Sequence, residues 1–164
     1  LDIEQSPYVL SVVNDFRNRD YCCNYSGWAR ITEGLETKVV GENGDLGSAA
    51  ESVEKLVEEY NSAQVFLNTS TVSPIPTALL EAMSCGCAVV TTATCMIPEI
   101  VKNGENGFIS NDEDELRAYV EQLLADEELR TKLGQAARQT ILNDFSEKKF
   151  LESWAKIFDK AYGV

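Results

Sequence analysis

The chain has 164 residues, with 14 basic against 27 acidic side chains, a formal net charge of −13 and no histidine. That length gives one domain with a sizeable core, burying roughly 70% of the surface its unfolded chain exposes. The charge opposes long-range attraction to nucleic acid or an anionic membrane, no apolar run approaches the ~20 residues of a membrane span, and no charged-then-apolar leader is present, so a soluble, cytoplasmic protein is expected.

From the amino terminus, Tyr8 to Val13 reads as a buried strand and Asn14 to Tyr25 as a polar loop carrying Arg17 and Arg19. A helix from about Gly27 to Glu33 leads through Gly34 to a short strand at Lys38 to Val40. Gly41, Gly44 and Gly47 punctuate the loop that follows. Their spacing matches neither GxGxxG nor a Walker loop, so each is read as a turn residue free to take a positive φ. Ala50 to Tyr60 has helical spacing, with Val53, Leu56, Val57 and Tyr60 on its apolar side and glutamates on the other.

The stretch from Ser62 to Asn111 is the most informative. An apolar run, Val65 to Leu67, gives way to Ser, Thr and Pro; a helix then starts near Pro76 and ends by Gly86, and Ala88 to Val90 returns as a second strand. This is a βαβ unit, whose crossover is right-handed in nearly all sheets. Ligands of such sheets bind beyond the carboxyl ends of the strands, here the loop Asn68 to Ile75 together with the free N–H groups of the helix after it, which attract anions and phosphates above all. At ~100° per residue Leu79, Leu80 and Met83 face the sheet, leaving Thr77 and Glu81 adjacent on the other side. A carboxylate there accepts paired hydrogen bonds from two ribose hydroxyls, and a threonine at a helix start holds a phosphate oxygen; an ordinary solvated glutamate is the competing reading of Glu81.

Further on, Ile97, Pro98 and Glu99 begin a helical turn that stops at Asn103 and Gly104, and Gly107 to Ile109 reads as the last strand. Ser110 or Asn111 is expected to cap the next helix, with Glu113 or Asp114 as capping partner and Leu116, Tyr119, Val120, Leu123 and Leu124 as its buried stripe. Another helix runs from Glu127 to Leu142, and Ser146 opens the last one. There Phe150, Leu151, Trp154, Ile157, Phe158 and Ala161 recur at helical spacing, which is read as core packing in preference to a sugar-stacking stripe.

Five cysteines, two of them the neighbours Cys22 and Cys23, argue against a disulfide framework. With no histidine and no CxxC pair, Cys85, Cys87 and Cys95 lack zinc-ligand spacing, so no metal site is expected. Absent fingerprint glycines also place a Rossmann oxidoreductase far behind the other readings.

The strings LLEAMSCGCAVVTT and IPEIVKNGENGFIS resemble the nucleotide-sugar-binding half of GT-B glycosyltransferases, closest to glycosyltransferase family 4. The likeness is strong from Ser62 to about Gly134. Such enzymes carry two glutamates separated by seven residues around a small glycine-rich loop. The second matches Glu81, which the resemblance assigns to the ribose of the donor nucleotide. The first falls on Ser73, and the loop after it reads Pro74, Ile75, Pro76 and Thr77. A Ser73 hydroxyl bonds a sugar hydroxyl neutrally, more weakly than an ionised carboxylate. The family also places an arginine and a lysine after the first strand, against the donor diphosphate. Arg17 and Arg19 stand in roughly that place, with Arg19 preferred; the alternative is two solvated arginines paired with Asp15 and Asp20.

The resemblance thus implies an α/β fold, a single Rossmann-like domain with an open, mainly parallel sheet of about five strands and helices on both faces. It implies a domain over residues 1–164 that binds a UDP- or GDP-linked sugar for a retaining, metal-independent transferase. Its candidate catalytic residues are Arg19 and Glu81, and its donor contacts are Arg17, Ser73, Pro74, Ile75, Pro76, Thr77 and Glu81. The acceptor domain is expected to precede this chain, whose start at Leu1 without a methionine favours an excised domain of little or no activity alone. A non-catalytic nucleotide-sugar-binding or assembly module is the alternative, and neither cofactor nor nucleic acid is implied.

Overall fold

A computed structural model of the chain describes residues 6–163. Five strands, β1 (Ser6–Val12), β2 (Thr37–Val40), β3 (Ala63–Asn68), β4 (Ala88–Thr91) and β5 (Phe108–Ile109), form one sheet in the order β2-β1-β3-β4-β5. Every pairing is parallel, with Val9 opposite both Thr37 and Val65, and Phe66 opposite Val89. All-parallel sheets are covered on both faces, which is why the strands read as continuous apolar runs. Side chains alternate across the sheet: Val9, Val65, Leu67 and Val90 join one buried cluster, whereas Leu10, Phe66 and Val89 join the other.

Eight helices complete the described residues: α1 (Asp20–Cys23), α2 (Tyr25–Ile31), α3 (Val53–Ser62), α4 (Thr77–Cys85), α5 (Ile97–Ile100), α6 (Glu113–Ala125), α7 (Glu127–Asp144) and α8 (Glu147–Tyr162). Helices α2 and α6 cover the first face with Trp28, Ile31, Leu116, Val120 and Leu123. The second is covered by α3, α4 and α5 through Tyr60, Leu79, Ala82, Met83 and Ile97. Leu79 and Met83 reach complete burial as their spacing requires, each contributing roughly 1.5–3 kcal/mol, while Leu80 is only half-buried. Gly86 ends α4 at φ 82°, its amide bonded to the carbonyls of Ala82 and Met83. Gly134 lets α7 approach that cap so closely that a Cβ there would lie 2.1 Å from the Gly86 carbonyl oxygen.

Several boundaries differ from the sequence reading. The expected loop from Asn14 to Tyr25 contains the one-turn helix α1, and α2 begins at Tyr25, where the Asn24 side chain accepts from the Gly27 amide. Ser52 caps α3 by accepting from the Lys55 amide, and Val53 and Val57, expected on its apolar side, are exposed while Tyr60 is buried. Asp112, not Ser110 or Asn111, caps α6 by accepting from the amides of Asp114 and Glu115. Ser110 instead accepts from the Asp112 amide and donates to Glu115.

The largest correction concerns α8. Ser146 does cap it, accepting from the Lys149 amide. Its apolar stripe, however, is not core: Phe150, Trp154 and Ile157 remain 60%, 44% and 54% exposed, and no residue of the helix is buried. Phe150, Trp154 and Phe158 meet in tilted ring contacts along it as an exposed ridge.

Candidate functional site

In an open parallel sheet, the crevice forms where successive crossovers leave in opposite directions. Chain order places that point between β1 and β3, since β2 lies on one side of β1 and all later strands lie on the other. A cleft of about 370 Å³ opens there, within the range of small-ligand sites. Its walls are the end of β1 with the loop through Asn14 and Phe16, the end of β3 through Ser70, and the start of α4 at Pro76, Thr77 and Ala78.

Three local devices shape it. The first is the glycine loop after β2, which braces the loop after β1: the Asn43 side chain donates to the Val13 carbonyl at 2.7 Å and accepts from the Phe16 amide at 2.8 Å. A Cβ on Gly41 would sit 2.0 Å from the Val13 carbonyl oxygen, so close approach as well as its φ of 137° selects glycine there. The second is Ser11, buried beneath the cleft, which donates to the Leu67 carbonyl at 2.7 Å and accepts from the Trp28 indole at 3.0 Å, tying β1 to β3. The third is the start of α4. Pro76 occupies its N-cap position, one residue earlier than the first-turn place expected of it, and provides no side-chain cap. The first amides of α4 therefore have no partner from the cap and carry the positive end of the helix dipole.

Arg19, Ser73, Pro76 and Thr77 come together on the walls of this cleft. Pro74, Ile75, Arg17 and Glu81 do not. The Pro74 carbonyl accepts from the Met96 amide at 3.2 Å, fastening the loop to the start of α5. Ile75 faces a different cleft, of about 680 Å³, between α5 and α7. That space is larger but lies away from the strand ends, where the topology converges no backbone donors. Arg17 turns outward to Asp45 at 2.6 Å and lies over the Tyr25 ring, so its partner is neither Asp15 nor Asp20. Asp20 accepts from Ser26 and Asp15 from Asn18.

Glu81 is half-buried, one turn along α4 from Thr77, and its Oε2 accepts the Tyr60 hydroxyl at 2.8 Å. It is thus not a freely solvated glutamate. Burial first, then the Glu81 hydrogen bond and charge, push the Tyr60 hydroxyl far above its ordinary pKa, so Tyr60 is a permanent donor.

Residues that sequence reasoning did not single out also line the cleft, among them Asn14, Cys22 and Cys23, beside Asn68 and Thr69 of the loop expected there. The polar pair Asn14-Asp15 directly after an apolar strand is a signal that could have found the first of these. Thr69 and Thr71 hold the carbonyls of Cys23 and Cys22, which fixes α1 against the loop after β3. Among the described residues no group of three or more His, Cys, Asp or Glu is arranged to hold a metal ion, and no helix is long and apolar enough to cross a membrane.

The family pattern described as glycosyl transferases group 1 matches residues 38–140, more than half of the chain. The chain belongs to this glycosyltransferase family. Among curated relatives, it is 33% identical over 82 residues to N-acetyl-alpha-D-glucosaminyl L-malate synthase of Bacillus anthracis, covering 49% of this chain and 22% of that protein. It is 32% identical over 114 residues to alpha-maltose-1-phosphate synthase of Mycolicibacterium smegmatis, covering 65% of this chain and 30% of the relative. The chain thus spans less than a third of the length of either. Among solved structures, Anabaena Alr3699/HepE in complex with UDP superposes with a TM-score of 0.74 at 17% identity, covering 95% of this chain and 49% of that one. The fold of this group 1 glycosyltransferase domain is therefore the α/β Rossmann-like fold with an open parallel sheet that the sequence resemblance implied.

Proposed function

We propose that the domain binds a UDP- or GDP-linked sugar as the donor half of a retaining, metal-independent glycosyltransferase, with the acceptor side supplied by a preceding domain and the whole working in the cytoplasm. The observation that carries this reading is the cleft at the β1/β3 crossover, which sets Arg19, Ser73 and Thr77 around the uncapped start of α4. The UDP in the Anabaena complex and the glycosyl donors implied by the names of the curated relatives support the ligand class.

In this reading the diphosphate lies against the first amides of α4, with Thr77 donating from its hydroxyl and Arg19 facing it across the cleft. As the bond between the sugar and the diphosphate breaks, negative charge grows on the departing oxygen. The helix dipole and the guanidinium meet that charge in place, without a bound cation. Ser73 takes a hydroxyl of the sugar. Glu81 offers the ribose its Oε1 while Tyr60 holds Oε2, and Pro74 and Ile75 keep the loop stiff from outside the cleft. Arg17, paired with Asp45, acts on the diphosphate only through its distant charge. Retention of configuration is carried over from the family resemblance.

A non-catalytic nucleotide-sugar-binding or assembly module is the second reading, favoured by the neutral Ser73 where the family has a carboxylate. Titration calorimetry tests the reading common to both. UDP or GDP is expected to bind the domain weakly, and equally with and without a chelator. No heat with either nucleotide, or heat only with magnesium, refutes it. Transfer of sugar by the full-length protein then separates the enzyme from the module.

A further inference from the structure

Cys22 and Cys23 both line the cleft, and their sulfurs lie 3.7 Å apart. Neighbouring side chains in a helical turn point about 100° apart, so this approach is not the default for a Cys-Cys pair. It is held by the backbone: the Cys22 carbonyl accepts from the Thr71 amide at 2.8 Å and the Cys23 carbonyl from the Thr69 hydroxyl at 2.9 Å. The turn is closed by Asn24, which takes the left-handed conformation at φ 54°. Both thiols are thereby presented on a fixed frame to one enclosed space.

What such a pair can take follows from its geometry. A disulfide between sequence neighbours must bridge Cα atoms about 3.8 Å apart, short of the roughly 4.4–6.8 Å that unstrained disulfides span. One atom bound to both sulfurs fits better: two bonds of about 2.3 Å at the roughly 95–100° angle of a pyramidal three-coordinate centre hold two sulfurs about 3.4–3.5 Å apart, within a few tenths of an ångström of their separation here. We infer that Cys22 and Cys23 form a vicinal dithiol site for a trivalent arsenical, a soft, thiophilic electrophile with two exchangeable positions, and that filling this site closes the cleft.

With an organoarsenic oxide the reaction is balanced and needs no oxidant. Two S–H bonds and the arsenic–oxygen bond break, two As–S bonds form, and the oxygen leaves as water with both protons. Arsenic stays trivalent throughout. Burial first, then the Cys22 hydrogen bond, pushes the Cys23 thiol up to about 11, so little thiolate is present at neutral pH and adduct formation is slow, as is alkylation.

The second half of the inference, closure of the cleft, rests on the donor-binding reading above; the first half does not. The test treats the folded domain with phenylarsine oxide and follows intact mass. One adduct per chain is expected, heavier by one reagent less one water, resistant to a monothiol and removed by a dithiol. Cys22→Ala and Cys23→Ala each abolish that resistance, whereas Cys95→Ser, at an exposed site, leaves it unchanged. A monothiol-resistant adduct that persists in the folded Cys22→Ala protein overturns the assignment, and so does release of the wild-type adduct by a monothiol. Calorimetry of the unmodified protein is run first. If UDP binds there, the adduct is expected to lower its affinity by about tenfold or more, because a filled cleft excludes its ligand. Unchanged affinity refutes closure. Failure of UDP to bind the unmodified protein is a failure of the donor reading, and the mass result still decides the dithiol site.

Discussion

Glu81 offers the sharpest separation of structure from function, because one carboxylate serves a buried tyrosine and is proposed to serve a ribose. Tyr60 is 1% exposed and its hydroxyl reaches Glu81 Oε2 at 2.8 Å. Glu81→Ala leaves that donor without a partner, which costs roughly 1–3 kcal/mol and lowers the melting temperature of a domain this size by roughly 2–12 °C. Glu81→Gln keeps an acceptor oxygen for Tyr60, so its stability falls by about 1 kcal/mol or less, the difference between a charge-assisted and a neutral hydrogen bond. Nucleotide affinity behaves differently. Loss of the ionised acceptor for the ribose hydroxyls costs roughly 1–3 kcal/mol, a decrease of about 5- to 150-fold, in Glu81→Gln as well as in Glu81→Ala. Melting curves and UDP calorimetry on the same preparations give both numbers. If Glu81→Gln binds UDP as the wild type does, Glu81 serves Tyr60 alone and its ribose role is wrong.

Three further outcomes are expected. Ser73→Glu changes the affinity ratio between a UDP-sugar and UDP while leaving UDP itself unchanged; competition calorimetry reads this, and a collapse of UDP affinity places Ser73 beside the nucleotide and not the sugar. Gly134→Ala drives a methyl against the Gly86 carbonyl oxygen, so chemical denaturation is expected to show a loss of roughly 1–3 kcal/mol with nucleotide affinity retained; full stability shows that α7 is free to shift. Arg30 grips Glu113 with two 2.6 Å hydrogen bonds and lowers its pKa below the usual 4.5. Because the folded pKa is the lower one, the pair's contribution is complete above the unfolded value and fades as pH falls through the folded one. For a pair this exposed that contribution is small, so Glu113→Gln lowers the melting temperature slightly at pH 7 and less at pH 3; an equal loss at both pH values excludes this origin.

What the sequence made legible follows the physics that is local or periodic. The βαβ unit, the Gly86 stop and the Ser146 cap depend on residues within a few positions of one another, and each stands where it was read. The α6 cap was placed too early because Ser110, Asn111 and Asp112 all accept hydrogen bonds, and only the path out of β5 decides which side chain meets the helix amides. One-turn α1 has no period to detect; it exists because the loop after β3 takes its carbonyls. For the site, Thr77 was picked out by its place at the helix start and Ser73 by the family resemblance, and both line the cleft. The partner of Glu81 was not, since Tyr60 is twenty-one residues away on another helix. Arg17 and Arg19 look alike in sequence; Asp45, brought close by the glycine loop, draws one outward and leaves the other at the cleft.

Helix α8 has a thermodynamic consequence. Periodicity reports that a segment has an apolar face, not what covers it, and here no side chain of the helix joins either cluster beneath the sheet. Its sixteen residues stand close to the length of about 12–15 at which lone helices are marginal in water. The winding and unwinding of α8 is therefore expected to be uncoupled from the unfolding of the sheet, with Ser146 and Gly163 capping its ends. Hydrogen exchange is expected to place the amides of residues 147–162 in the fastest class and those of β1 and β3 in the slowest; equal protection of both refutes this uncoupling. Any surface that receives the ridge of Phe150, Trp154 and Phe158 must also fix the helix that carries it, so part of the gain from burying those rings goes into ordering the segment.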